Sequence, residues 1–151
     1  MVDTNPKILV GLSTSEYIRR ADFLPYFLAL DKPEGTLIST VHGQSPARSR
    51  NLIIEQALAN DVTHILFIDD DMVFPPETLD ILLSHGKRII GVASNSRKLP
   101  LKHTVETLDG GELGKGLQEV KAVGCGIMLV DLKVFDEIET PYFSVFSHPS
   151  G

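Results

Sequence analysis

What the chain lacks narrows its class before any motif is considered. It has no tryptophan and a single cysteine, Cys125, among 151 residues. One thiol excludes an intramolecular disulfide framework and suits a reducing compartment. Basic charge is scarce: 14 Lys and Arg against 20 Asp and Glu leave a net charge of −6. With no run of Lys or Arg, nucleic acid is not an expected partner. No stretch approaches the roughly 20 apolar residues needed to span a membrane. Asp3, Asn5 and Pro6 interrupt the N-terminus where a signal peptide would carry its apolar core. The expectation is a soluble cytoplasmic protein. There is enough chain for one domain with a real core, spanning residues 1–151.

What is present is centred on His64-Ile65-Leu66-Phe67-Ile68-Asp69-Asp70-Asp71. A short, continuously apolar run reads as a buried strand, and it stops at three consecutive carboxylates. In open α/β sheets, ligands bind outside the carboxyl ends of the strands, where these three Asp should lie. Adjacent negative charges repel and are easier to keep together around a hard divalent cation. Strand alternation would put Asp69 and Asp71 on one side and Asp70 on the other. A water-exposed acidic turn, with one Asp capping the next helix, explains the same residues without a metal.

The flanking segments follow an α/β rhythm. Lys7–Gly11 is an expected first strand, followed by a small polar loop, Gly11-Leu12-Ser13-Thr14-Ser15, whose amides could approach a ligand. Tyr17, Ile18, Phe23, Leu24, Phe27 and Leu28 have helical spacing, with Pro25 interrupting or restarting the helix. Thr36–Val41 is an expected second strand. Ser45 and Pro46 then open a helix as N-cap and first residue, with Ile53, Ile54, Ala57 and Leu58 as its buried stripe. Arg50 lies on that stripe one turn earlier and should point at the ligand edge. Arg48 is about 160° away around the helix and reads as a solvated first-turn residue.

After the carboxylates, Pro75-Pro76-Glu77 opens a helix with Leu79, Leu82 and Leu83 inward and Gly86 as its stop. Lys87–Ala93 reads as a strand, ending in Ser94, Asn95, Ser96, Arg97 and Lys98. Residues 99–119 suggest a hairpin or mobile loop. Glu119–Val123 starts a strand that Gly124-Cys125-Gly126 breaks before Ile127–Val130. Asp131 then caps a short helix running to Ile138. Cys125 reads as a small buried residue, not a nucleophile. His64 and His85 read as solvent-facing, and Tyr142, Phe143 and Phe146 as core or dimer packing.

In order, Ala47-Arg48-Ser49-Arg50-Asn51, Phe67-Ile68-Asp69-Asp70-Asp71-Met72, Phe74-Pro75-Pro76-Glu77-Thr78-Leu79 and Val123-Gly124-Cys125-Gly126-Ile127-Met128-Leu129 resemble a GT-A glycosyltransferase of family 2 or its phage-type relatives. The resemblance covers roughly residues 7–143. It implies a mostly parallel, Rossmann-like sheet flanked by helices, with a small antiparallel element near the C-terminus. It also implies a UDP-sugar or other nucleotide-diphosphate sugar as donor, an acceptor it does not name, and Mn2+ or Mg2+ on the diphosphate. Asp71 would bind the metal, Asp69 would be a second or water-mediated ligand, and Asp70 would reach ribose or sugar hydroxyls. Leu12, Ser13 and Thr14 match the loop against the base. Arg48 or Arg50 matches the basic residue near base and diphosphate. Gly124, Cys125 and Gly126 match the sugar and acceptor side.

Family members continue into a Glu-Asp pair that supplies the base and a His that completes the metal site. The tail before Gly151 has no match to either, and Asp136, Glu137 and Glu139 do not resemble that motif. His148 could replace the missing metal ligand, or be an exposed tail residue. His42 stands near where the family often has an Asp for the base. The expected activity is therefore sugar transfer or weak hydrolysis, with no catalytic residue assigned. The alternative is a catalytically deficient nucleotide-sugar-binding module. A second subunit of a homodimer could supply the missing carboxylate. A nucleotidyltransferase is disfavoured because no Gly-rich, basic phosphate loop follows the first strand.

Overall fold

The computed structural model describes residues 5–14, 22–95, 99–100 and 102–145. Tyr17 and Ile18 of the expected first helix lie outside these residues, as do Ser15, Ser96, Arg97, Lys98, Phe146 and His148. Five strands form the main sheet: β1 (Ile8–Thr14), β2 (Leu37–His42), β3 (His64–Asp69), β4 (Ile89–Gly91) and, in space between β3 and β4, the later strand Ile127–Asp131. Two further strands, β5 (Val105–Thr107) and β6 (Val120–Val123), pair as a separate antiparallel ribbon, so Ile127–Asp131 is β7. The order across the main sheet is β2-β1-β3-β7-β4. β1 runs parallel to both β2 and β3, and β7 is antiparallel to both β3 and β4, so four strands share one direction and β7 is reversed. This is a mixed α/β fold with a mostly parallel sheet and a small antiparallel ribbon late in the chain.

Each face of the sheet has its own core. Alternation along β1 and β3 sends Ile8, Val10, Leu12, Leu66 and Ile68 to one face, where they pack on Phe23, Phe27, Leu79 and Leu82. Those last residues come from α1 (Phe23–Ala29) and α3 (Thr78–Ser84). Leu9, Ile65 and Phe67 go to the other face and meet Ile53, Ile54 and Ala57 of α2 (Pro46–Leu58), together with Val134 and Phe135 of a short 3-10 helix, Leu132–Asp136. Among the described residues, no helix is long and apolar enough to cross a membrane.

Local signals set several boundaries. Ser45 Oγ accepts the Arg48 N–H, and Pro46 follows in the first turn of α2. Asp131 Oδ1 accepts the Lys133 N–H at 2.9 Å and caps the 3-10 helix. Pro25 falls inside the first turn of α1, where its missing N–H costs no hydrogen bond. Gly86, at φ +58°, follows α3 in the left-handed region that favours glycine.

Other expectations are corrected. β1 continues through Leu12, Ser13 and Thr14, because β2 and β3 pair with it over those residues. The expected β4 shrinks to three residues. Leu58, expected in the buried stripe, is 45% exposed at the C-terminal end of α2. His64 is half-buried rather than solvent-facing, with Nδ1 2.8 Å from the Thr63 hydroxyl, and desolvation lowers its pKa despite the opposing pull of Asp131. His85 is exposed, as expected.

Gly11 determines how closely α2 approaches the sheet. A Cβ there would lie 2.5 Å from Ile53 Cγ2. The bare backbone lets the helix settle onto β1, and Arg50 sits one turn before Ile53 on the same face. Gly11→Ala should destabilise the fold by about 1–3 kcal/mol through overpacking. Chemical denaturation measures this directly. A variant as stable as the parent would show that α2 does not depend on this close approach.

Candidate functional site

The carboxylates lie at the carboxyl edge of the sheet, and each has a different setting. Asp69 is the last residue of β3. Its N–H donates to Gly126 O at 2.8 Å, and its carbonyl accepts from Met72 N at 3.2 Å. That second bond closes a turn over residues 69–72, so the expected strand alternation does not extend to Asp70 and Asp71. The chain bends there, and all three side chains are half-buried around one corner.

Asp69 shares the α2 face with Phe67, and α2 delivers Arg50 to it. Arg50 Nη2 donates to Asp69 Oδ1 at 3.0 Å and Oδ2 at 3.3 Å. The side chains are 15% and 34% exposed. An ion pair at that depth contributes on the order of 1 kcal/mol once solvent screening is allowed for. Its larger effect is electrostatic: one charge of the triplet is neutralised within the protein. Ser13 pairs in register with Asp69 and is half-buried beside it.

The aromatic tail closes this arrangement. The Arg50 guanidinium lies 5.7 Å from the centroid of the Phe143 ring, within cation–π range. That ring stands edge-on to Phe67 at 5.8 Å, and Tyr142 stands edge-on to Phe135 at 5.0 Å. Phe143 and Tyr142 thus pack on the core of their own domain, as expected of them. Sequence reasoning gave no specific role to Phe143 beside Arg50. The contact joins residues 93 positions apart, 143 − 50, and no local pattern signals it.

Cys125 completes the inner wall. Burial pushes its thiol up to about 12, the nearby Asp69 carboxylate adds to the shift, and the Arg50 charge and hydrogen bond oppose it. This agrees with a structural cysteine and not a nucleophile. Gly124 and Gly126 are places of close approach: a Cβ on Gly124 would lie 2.8 Å from Thr104 Oγ1, and one on Gly126 3.0 Å from Met72 Sδ.

The structure therefore brings Arg50, Asp69, Asp70, Asp71, Ser13 and the 124–126 segment to one edge. Three expected site residues stand apart. The Leu12 side chain is fully buried in the opposite core, so it cannot present itself to a base. Thr14 is 7% exposed, also within strand β1 rather than a loop. Arg48 is exposed in the first turn of α2, away from the Arg50 direction. His148 lies outside the described residues.

Among the described residues, three buried polar atoms in this region, Ser49 Oγ, Arg50 Nε and Asp70 Oδ2, have no hydrogen-bond partner. A buried carboxylate oxygen without a donor is costly and is a position where a cation or an added donor would be stabilising. Among the described residues no group of three or more His, Cys, Asp or Glu side chains forms a metal cage. The donor set fits a hard cation held by one or two carboxylates, with ligand oxygens and water in its other positions. Asp70, with its buried Oδ2, suits that role better than Asp69, whose oxygens already accept from Arg50. A separate cavity of about 370 Å3, lined by Pro6, Leu58, His64 and Lys133 among others, lies at the opposite edge of the sheet.

No protein-family model matches the chain, and no curated protein matches it in sequence. The crystal structure of A197 from STIV superposes with a TM-score of 0.66 at 16% identity, covering 91% of this chain and 71% of that one. At that identity the likeness establishes the α/β fold alone.

The thiol supplies a test of the inner wall. At pH 8, alkylation of Cys125 in the native protein should be at least about 100-fold slower than after denaturation, because a thiol with so high a pKa is almost wholly protonated there. A native rate equal to the denatured rate would place Cys125 outside the wall described above.

Proposed function

We propose that the chain is a metal-dependent, glycosyltransferase-like protein of the GT-A type that binds a nucleotide-diphosphate sugar, UDP-sugar first. The observation that carries this reading is the acidic corner at the carboxyl end of β3. One carboxylate there is neutralised by Arg50, and a second, Asp70, has a buried oxygen with no partner among the described residues. The reversed β7 beside β3 supports it, because its start brings Gly124, Cys125 and Gly126 to the same edge.

In this reading Asp71 holds Mn2+ or Mg2+. Asp70 reaches the ion or a ligand hydroxyl. Arg50, with Asp69 behind it, faces the diphosphate, and the glycine segment lines the sugar side. The ion would supply Lewis-acid stabilisation of the departing diphosphate. The chain's own residues would orient the nucleotide and exclude water. Ser13 is the residue of the 12–14 segment placed to contribute, through its register with Asp69.

Calorimetry with UDP tests this. Binding should require a divalent ion, with manganese at least as good as magnesium, and should weaken by at least about tenfold in chelator, because two anionic partners repel without a cation between them. Asp71→Ala should abolish the metal-dependent component while the protein remains folded. Equal UDP affinity with manganese and with chelator would overturn the reading. Release of UDP from a UDP-hexose then separates transfer from binding alone: acceptor-dependent release marks a transferase, and a bound donor that stays intact marks a binding module.

A further inference from the structure

Asn51 stands next to Arg50 on α2 and faces a segment 92 residues later in the chain. Its Nδ2 donates to Phe143 O at 2.8 Å, and its Oδ1 accepts from Phe143 N at 3.0 Å. A primary amide offers one donor and one acceptor side by side, as a peptide group does, so it can satisfy both main-chain groups of a single residue. Aspartate lacks the donor, and alanine lacks both. With its main chain fixed at two points, Phe143 has its ring seated between Phe67 and the Arg50 guanidinium. Arg50 in turn has its Nη2 on both Asp69 oxygens and a hydrogen bond to the Cys125 thiol, and among the described residues its buried Nε has no partner. The ring face adds a further restraint on the swing of the guanidinium.

We propose that Asn51 is a positioning residue for the acidic corner: by clamping Phe143 it holds that ring against Arg50 and so keeps the guanidinium on Asp69. Without the clamp Arg50 leaves Asp69, and the corner gains one unneutralised negative charge. A cation alone then meets a stronger field, whereas an anionic ligand loses its aligned guanidinium. The ligand consequences rest on the proposed cation and nucleotide site, but the placement of Arg50 does not.

The experiment uses the full chain and two independent readings. The first is the NMR signal of the Arg50 side-chain Nε–H, displaced by the Phe143 ring current and rigid in the parent. In Asn51→Ala and in Phe143→Leu it should move to the position of a solvated arginine and lose its order. Phe143→Tyr, which keeps the ring, should retain the parental signal. The second is calorimetry with manganese alone and then with UDP in saturating manganese. Both disruptive variants should bind manganese about 3- to 10-fold more tightly, the effect of one extra charge at this distance in a partly solvated corner. They should bind UDP several-fold more weakly.

A folded Asn51→Ala whose Arg50 signal is unchanged would overturn the proposal and leave the clamp as a tail fastening only. If Asn51→Ala fails to fold, Phe143→Leu decides by the same signal. A parent that binds no manganese would sink the proposed site, and the Arg50 signal would still decide the role of Asn51.

Discussion

Three neighbouring carboxylates at the end of a buried strand form an electrostatic problem, and the surrounding structure is arranged around its solution. Asp69 ends β3 on the face covered by α2, and Arg50 comes down from that helix to meet it. The meeting requires a short helix–sheet distance, which the missing Cβ of Gly11 permits. The chain also turns immediately after Asp69, where the Asp69 carbonyl accepts from Met72 N. Charge, packing and turn geometry act on one another here. Widening the α2–β1 gap would loosen the ion pair, and straightening the turn would put three anions in a row.

The reversed strand β7 has a related effect. Because it runs against β3, its beginning and not its end lies beside Asp69, and the Gly126 carbonyl accepts the Asp69 N–H. The glycine segment before it passes close to Thr104 and Met72, where side chains would not fit. An antiparallel insertion in a parallel sheet thus delivers a compact stretch of backbone to the carboxyl edge without a long loop.

Features written in adjacent residues were legible from the sequence. Ser45-Pro46 opening α2, Asp131 capping the 3-10 helix, Gly86 closing α3, the apolar run of β3 and the inward direction of Arg50 all depend on local chemistry or on helical period. Features that depend on distant partners were not. Leu12, Ser13 and Thr14 look like a polar loop until β2 and β3 are both seen to pair with them. Leu58 fits the apolar stripe by spacing, but it falls where the helix end leaves the sheet. His64 looks exposed by its position at a strand start, yet Thr63 and the strand opposite enclose it. Phe143 was legible as packing but not as the neighbour of Arg50, since that depends on Asn51 reaching across the whole domain.

The long span between Asn51 and Phe143 also has a consequence for synthesis. Strands β1, β2 and β3 and the helix carrying Arg50 lie in the first half of the chain, and their pairings, such as Leu9 with Leu37 and Ile8 with His64, close shorter loops than the Asn51–Phe143 contact does. They can assemble early, whereas contacts between distant residues wait on loop closure. β7 and the segment holding Phe143 are made later. Until they emerge, the α2 face of Phe67 stays uncovered and Arg50 meets Asp69 with water where the ring belongs. The acidic corner therefore reaches its working form only after β7 and Phe143 are in place, and a nascent chain stalled before residue 143 would carry the carboxylates without their completed wall.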